Sequence, residues 1–191
     1  MGKILSLIVL VTLCFVSTKI QAHPSRIRLL MHGKLQLTDS LSISGHLVIP
    51  NLLGELAPVA FLEFDWKPTN WLIIAPTIAH AFEPDEVIAS LRLAPSYKKI
   101  FWGWLTFEMR PQSRAYYWFV QAEWKATEWL AIGIEEESWG NFETFEESSH
   151  GGGANMLVNF GKRFRTDFAI HLRDVNSDIG PEFFLRFHVF L

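Results

Sequence analysis

The chain has 191 residues, of which 17 are basic and 20 acidic, giving a formal net charge of −3; 49% of it is hydrophobic, with 16 Phe and eight Trp. A single cysteine, Cys14, excludes a disulfide framework and thiolate metal sites. No basic tract argues for nucleic acid, and past the first residues no apolar run is long enough for a transmembrane helix.

Residues 1–22 have the layout of a secretory signal peptide: Lys3 at the start, an apolar stretch over 5–16, and the small Ala22 before His23. Leu13 is too large to precede a lipoprotein cysteine at Cys14. Cleavage after Ala22 removes two of the 17 basic residues, so 15 bases face 20 acids and the net charge is −5. Residues 23–191 have the length of one domain. The single low-complexity patch is "ESSHGGGAN", 147–155.

From 27 onward the spacing is period two, which predicts strands rather than helices. "IRLLMHGKLQL" (27–37) alternates first. Strands are then predicted over 42–49, 59–66, 71–82, 86–95, 100–110, 115–124, 129–138, 155–162, 167–175 and 182–191. In the last of these, Phe183, Leu185, Phe187, Val189 and Leu191 share one face, and Phe184, Arg186, His188 and Phe190 share the other. In 167–173, Phe168, Ile170 and Leu172 oppose Asp167, Ala169, His171 and Arg173. In 116–124, Tyr116, Trp118, Val120, Ala122 and Trp124 oppose Tyr117, Phe119, Gln121 and Glu123. In 156–163, Met156, Val158 and Phe160 oppose Leu157, Asn159 and Arg163.

Two environments produce this pattern. In a soluble sandwich or lipid-binding barrel the apolar face looks inward; in a transmembrane barrel it looks out at lipid. The second face decides. It carries Arg92, Glu108, Arg110, Glu123, Arg163, His171, Arg173, Arg186 and His188, interleaved with aromatic rings and short of the Lys, Thr and Ser of a solvated sheet. Mixed acids and arginines suit a small barrel's interior, where charges pair.

A repeat supports this. "WKPTNWLII" (66–74) and "WKATEWLAI" (124–132) match at Trp, Lys, Thr, Trp, Leu and Ile. Each is a tight turn flanked by tryptophans, Trp66 and Trp71 in one and Trp124 and Trp129 in the other. Trp prefers the membrane interface, where ring and N–H are both satisfied. By parity Trp66 and Trp124 face outward, and Trp71 and Trp129 are the pair that can turn inward. Thr followed by an acid or amide recurs at Thr38, Thr69, Thr127 and Thr166, each read as a turn.

The signal peptide, the two Trp-flanked turns and the amphipathic last strand resemble small bacterial outer-membrane β-barrel proteins, at the level of the class. The fold this implies is an all-β, antiparallel, up-and-down transmembrane barrel of about ten strands, with eight and twelve also open. The resemblance places the last strand's end in the periplasm and all four Thr turns beside it. It puts loops 139–154 and 176–181 outside. Such barrels finish on an aromatic residue read by the assembly machinery; here Phe190 is penultimate and Leu191 last. Residues 23–41 are left as a periplasmic extension, a plug or an extra strand. The partners implied are outer-membrane lipid, lipopolysaccharide and the assembly machinery, with no nucleic acid.

Chemistry is thin. No nucleophile elbow, phosphate loop or zinc spacing occurs, so no catalytic residue, metal or cofactor is assigned. Ser44 and His46, with Glu63 and Asp65, are the residues an acyl-transfer site would use. That keeps a lipid A-modifying enzyme as one alternative, and a soluble periplasmic lipid-binding barrel as another. Glu108, Glu123, Arg163, Asp167, His171, Arg173, Arg186 and His188 are expected to form a lumen charge network, with His171 and His188 able to pair across a hairpin. Glu135, Glu136, Glu137, Glu143, Glu146 and Glu147 give the outer mouth negative charge. The function expected is a narrow pore or transport-type barrel, or a structural envelope protein.

Overall fold

The alternation is realised as eleven strands: β1 (Arg26–Gln36), β2 (Leu41–Ile49), β3 (Val59–Thr69), β4 (Leu72–Phe82), β5 (Asp85–Tyr97), β6 (Phe101–Arg110), β7 (Ala115–Lys125), β8 (Leu130–Asn141), β9 (Glu147–Phe160), β10 (Phe164–Val175) and β11 (Asp178–Phe190). The structure is a computed structural model and describes residues 23, 25–52, 57–144 and 147–191. The expected signal peptide and Glu146 lie outside the described residues.

Neighbours in sequence pair antiparallel, and β1 closes the barrel against β11. The eleventh strand is the alternating segment at 27–37, which stands in the wall as β1. An odd number of alternating strands leaves the first and last pointing the same way, so the closing pair is parallel, from Arg26 opposite Phe184 to His32 opposite Phe190. Parallel pairing is slightly weaker per residue. Side chains reinforce this seam, with Arg26 Nε 2.5 Å from Glu182 and His32 Nε2 3.0 Å from His188 Nδ1.

The Trp-flanked turns share one end of the barrel but not one geometry. Ala126 N–H and Thr127 N–H both donate to Leu130 O at 3.0 Å, and Leu130 N–H donates to Thr127 Oγ1. Leu37 and Thr38 repeat this against Leu41. In the third copy Pro68 stands where Ala126 stands. It has no N–H to give, so Thr69 pairs directly with Leu72 and the register shifts between Trp66 and Thr69. Thr166 is not a turn residue: it lies inside β10, opposite Val158 and Phe187. The reversal comes earlier, at Gly161, whose φ of 70° is left-handed.

The expected loop at 139–154 is largely strand. β8 and β9 pair out to Trp139 opposite Ser149 and Gly140 opposite Glu147, so the glycine run sits in β9. The expected loop at 176–181 is a two-residue turn. Asn176 and Ser177 both have positive φ, the hairpin geometry that matches strand twist. The longest connection is instead 50–58, at the same end as 142–146.

Inside and outside are chemically inverted relative to a soluble domain. Ile134, Leu172, Phe160, Ile78 and Ile170 are 50–67% exposed on the outer face, whereas Glu123, Glu137 and His171 are 0% exposed within. The buried apolar residues are few and mostly small; Val59, Ala79, Ala81 and Ile88 cluster with Phe61 against them, and Ala75, Ala131, Leu157, Ala169 and Phe184 are buried elsewhere.

Candidate functional site

The lumen holds the charged chemistry, arranged in tiers along the barrel axis. At the end that carries the 50–58 and 142–146 connections, Glu137 on β8 accepts from Arg26 at 2.9 Å, Arg28 at 3.4 Å and Tyr117 Oη at 3.0 Å, and also from Arg173. Glu182 on β11 accepts from Arg26 and Arg173. The Phe184 ring lies beneath, 4.5 Å from the Arg26 guanidinium and 4.9 Å from that of Arg186. To one side Arg110 lies 3.5 Å from Glu108 and 3.8 Å from Glu86, stacked over Trp139.

In the middle tier Glu135 accepts from Arg186 at 2.5 and 2.8 Å and from Gln121 at 3.2 Å, and His171 Nε2 lies 2.8 Å away. Arg186 also donates to Asp167 at 2.6 Å. Glu123 accepts from the Asn155 amide.

These contacts cross a whole strand. Glu135 and Glu137 on β8 meet His171 and Arg173 on β10 although β9 runs between, and strands two apart are roughly 9.6 Å from each other. The β9 residues in between are Gly153 and Gly151, which face the lumen in register with both partners. A Cβ on Gly151 would come 3.1 Å from Arg173 Cζ, and one on Gly153 would come 1.8 Å from Ile170 O. The glycine run is a gap in the wall's side chains through which β8 and β10 touch.

At the turn end Arg92 bridges Glu63 and Asp65, each at 2.5 Å, and stacks on Trp104. Asp65 also accepts from Ser44 Oγ at 2.6 Å and Lys34 at 3.0 Å. A histidine chain follows. His46 Nε2 lies 2.9 Å from Glu63, its Nδ1 2.5 Å from His32 Nδ1, and His32 Nε2 3.0 Å from His188.

The structure brings Asp167, His171, Arg173 and Arg186 together through Glu135, Glu137 and Glu182. Glu108 and Glu123 face the lumen in separate contacts, and His188 belongs to the His32 chain rather than pairing with His171. Arg163 is corrected: it is exposed in the turn before β10, because the reversal at Gly161 ends the β9 parity, and Arg165 takes the inward position. Glu135 and Glu137 are corrected too. They are buried in the lumen rather than at the mouth, while Glu136 faces outward, 2.8 Å from His150. Alternation within "EEE" was the available signal. Arg26, Arg28 and Glu182 carried none, since their partners are remote in sequence. Trp66, Trp71, Trp124 and Trp129 are all about half exposed at the turn end, so Trp71 and Trp129 do not pack inward.

Two chemical options are limited by this geometry. Ser44 gives its proton to Asp65 while both His46 nitrogens are engaged elsewhere, so nothing links Ser44 to a base. Glu137, His171 and Glu182 lie close enough to hold a metal ion. Their oxygens are occupied by three guanidinium groups, which a dication would have to displace.

No family model matches the chain, and no curated protein matches it.

Proposed function

We propose that this protein is an integral β-barrel of a Gram-negative outer membrane, with a closed, ion-paired lumen and a structural role in the envelope. The observation that carries the reading is the inversion of the two faces. Exposed Phe, Ile, Leu and Met stand on the outer face of strand after strand, more large apolar side chains than a water-soluble monomer exposes. Charges fill the inside. A soluble lipid carrier needs the reverse. The tryptophans at the turn end, Trp66, Trp71, Trp124 and Trp129, have the position of an interfacial girdle. The turn end and C-terminus then face the periplasm, and the 50–58 and 142–146 connections face outward.

The structural role is preferred to an open pore because ion pairs span the interior at several heights. An aqueous channel would require Glu135, Glu137 and their arginine partners to separate. The experiment is cell fractionation followed by planar-bilayer recording of the refolded protein. Recovery in the outer membrane, heat-modifiable gel mobility and no steady conductance are expected. A soluble periplasmic protein overturns the membrane assignment, and a stable open conductance overturns the closed lumen.

A further inference from the structure

Among the inward-facing cations of the lumen, Arg165 is set apart. Arg26, Arg28, Lys34, Arg92, Arg110, Arg173 and Arg186 each have a carboxylate within 4.0 Å. Among the described residues, none lies that close to Arg165. Yet Arg165 is not loose. Its Nε donates to Asn159 Oδ1 at 2.8 Å, and its guanidinium stacks 5.3 Å from the Phe190 ring and 5.9 Å from the Trp102 ring. Asp167 and Glu123 act on Arg165 only from beyond ion-pair distance; Asp167 accepts its hydrogen bond from Arg186 and Glu123 from Asn155. A partly buried guanidinium whose counter-charges all lie beyond ion-pair contact is costly, and fixing it between two rings and an amide makes sense if an anion completes it.

The space for that anion is present. Arg165 borders a cavity of about 290 Å³ in the turn-end mouth, together with Trp102, Lys125, Glu128 and Asn159. This is the room of roughly ten waters. Among the described residues Lys125 has no carboxylate within ion-pair distance either, so two cations and one acid of those residues face the cavity. Lys67, Lys98, Lys99, Lys162 and Arg163 are exposed on the same rim, against Asp39 and Glu128. A mouth where cations outnumber acids in this way concentrates anions.

The geometry points to a binding site for a phosphate group in this vestibule, held by the Arg165 fork and the Lys125 ammonium. Guanidinium matches an oxyanion bidentately, and lysine adds a mobile point charge. The group arrives either as a free phosphomonoester or as a phospholipid headgroup reaching over the rim. The inference uses only the lumen geometry and stands whichever solvent surrounds the outer face.

The test is calorimetric titration of the full barrel in a phosphate-free maltoside detergent with inorganic phosphate, glycerol 3-phosphate and short-chain phosphatidylglycerol. Saturable binding at one site is expected. Arg165→Gln should weaken it ten-fold or more, Arg165→Lys less, and Lys125→Gln by several-fold, with affinity falling as salt rises. Tighter binding of the lipid than of glycerol 3-phosphate assigns a headgroup; the opposite order assigns a soluble ligand. Absence of saturable binding by the unmodified protein overturns the site. So does a folded Arg165→Gln variant that binds within two-fold of it. If Arg165→Gln fails to fold, unchanged binding by Lys125→Gln, an exposed position, overturns it instead.

Discussion

His171 Nε2 lies 2.8 Å from Glu135 Oε1 although β9 runs between their strands, and the β9 residue in register with both is Gly153. The contact exists because that residue has no side chain. A buried pair of this kind specifies which strands lie two apart, a constraint that the backbone ladder alone does not impose.

Gly153→Ala should therefore be disruptive. Its Cβ would meet Ile170 O at 1.8 Å, a backbone atom that moves only with its strand. Overpacking costs about 1–3 kcal/mol and sometimes more. Gly33→Ala is the control: it faces open space on β1 and should be neutral. Urea unfolding of the refolded barrels measures both, and equal midpoints would refute the gap.

Glu137→Gln should destabilise strongly. Among the described residues Arg28 loses its one carboxylate within 4.0 Å, and Arg26 and Arg173 are left with Glu182. Breaking a buried charge pair typically costs about 3–5 kcal/mol. Glu143→Gln removes an exposed pair with Arg114, 2.8 Å apart at the rim, and should cost about 0–1 kcal/mol. Comparable losses in the two variants would mean that the lumen network contributes no more than a surface pair.

Val120 and Gln121 are adjacent on β7 and face opposite ways. Gln121 is buried beside Glu135, whereas Val120 is on the outer face. Val120→Arg should cost about 2–4 kcal/mol if it lies at the bilayer midplane. Gln121→Arg should be tolerated better, because it meets Glu135. Folding yields into lipid vesicles rank the two, and the reverse order would show the lipid face to be misassigned.

The parallel seam can be trapped. Leu29 on β1 is in register with Phe187 on β11, both on the outer face. Strands in a sheet lie about 4.8 Å apart, within disulfide reach. The Leu29→Cys/Phe187→Cys variant should cross-link under mild oxidation and resist heat opening on gels. Leu30→Cys/Phe187→Cys, with Leu30 facing inward, should not. A ten-stranded barrel lacking β1 in its wall would give neither.

Much of this barrel was legible in the order of residues, because a strand's two faces alternate with a fixed period and need no distant information. The apolar outer row Phe183, Leu185, Phe187, Val189 and the inner row Phe184, Arg186, His188, Phe190 follow from parity alone. So does the inward aim of Asp167, His171 and Arg173, and "EEE" could have been split the same way. Parity fails only where a turn resets it: the left-handed Gly161 put Arg165, not Arg163, in the lumen. Tertiary structure decided what depends on closure. β1 joins β11 because an odd count leaves both pointing the same way. Only that closure carries Arg26 and Arg28 to Glu137, more than a hundred residues distant. The glycine run at 151–153 reads as a loop in one dimension, since glycine weakens an isolated strand. In the closed barrel Gly151 and Gly153 are the lumen-facing positions of β9 that must lack side chains, because the charges on either side of them have to meet.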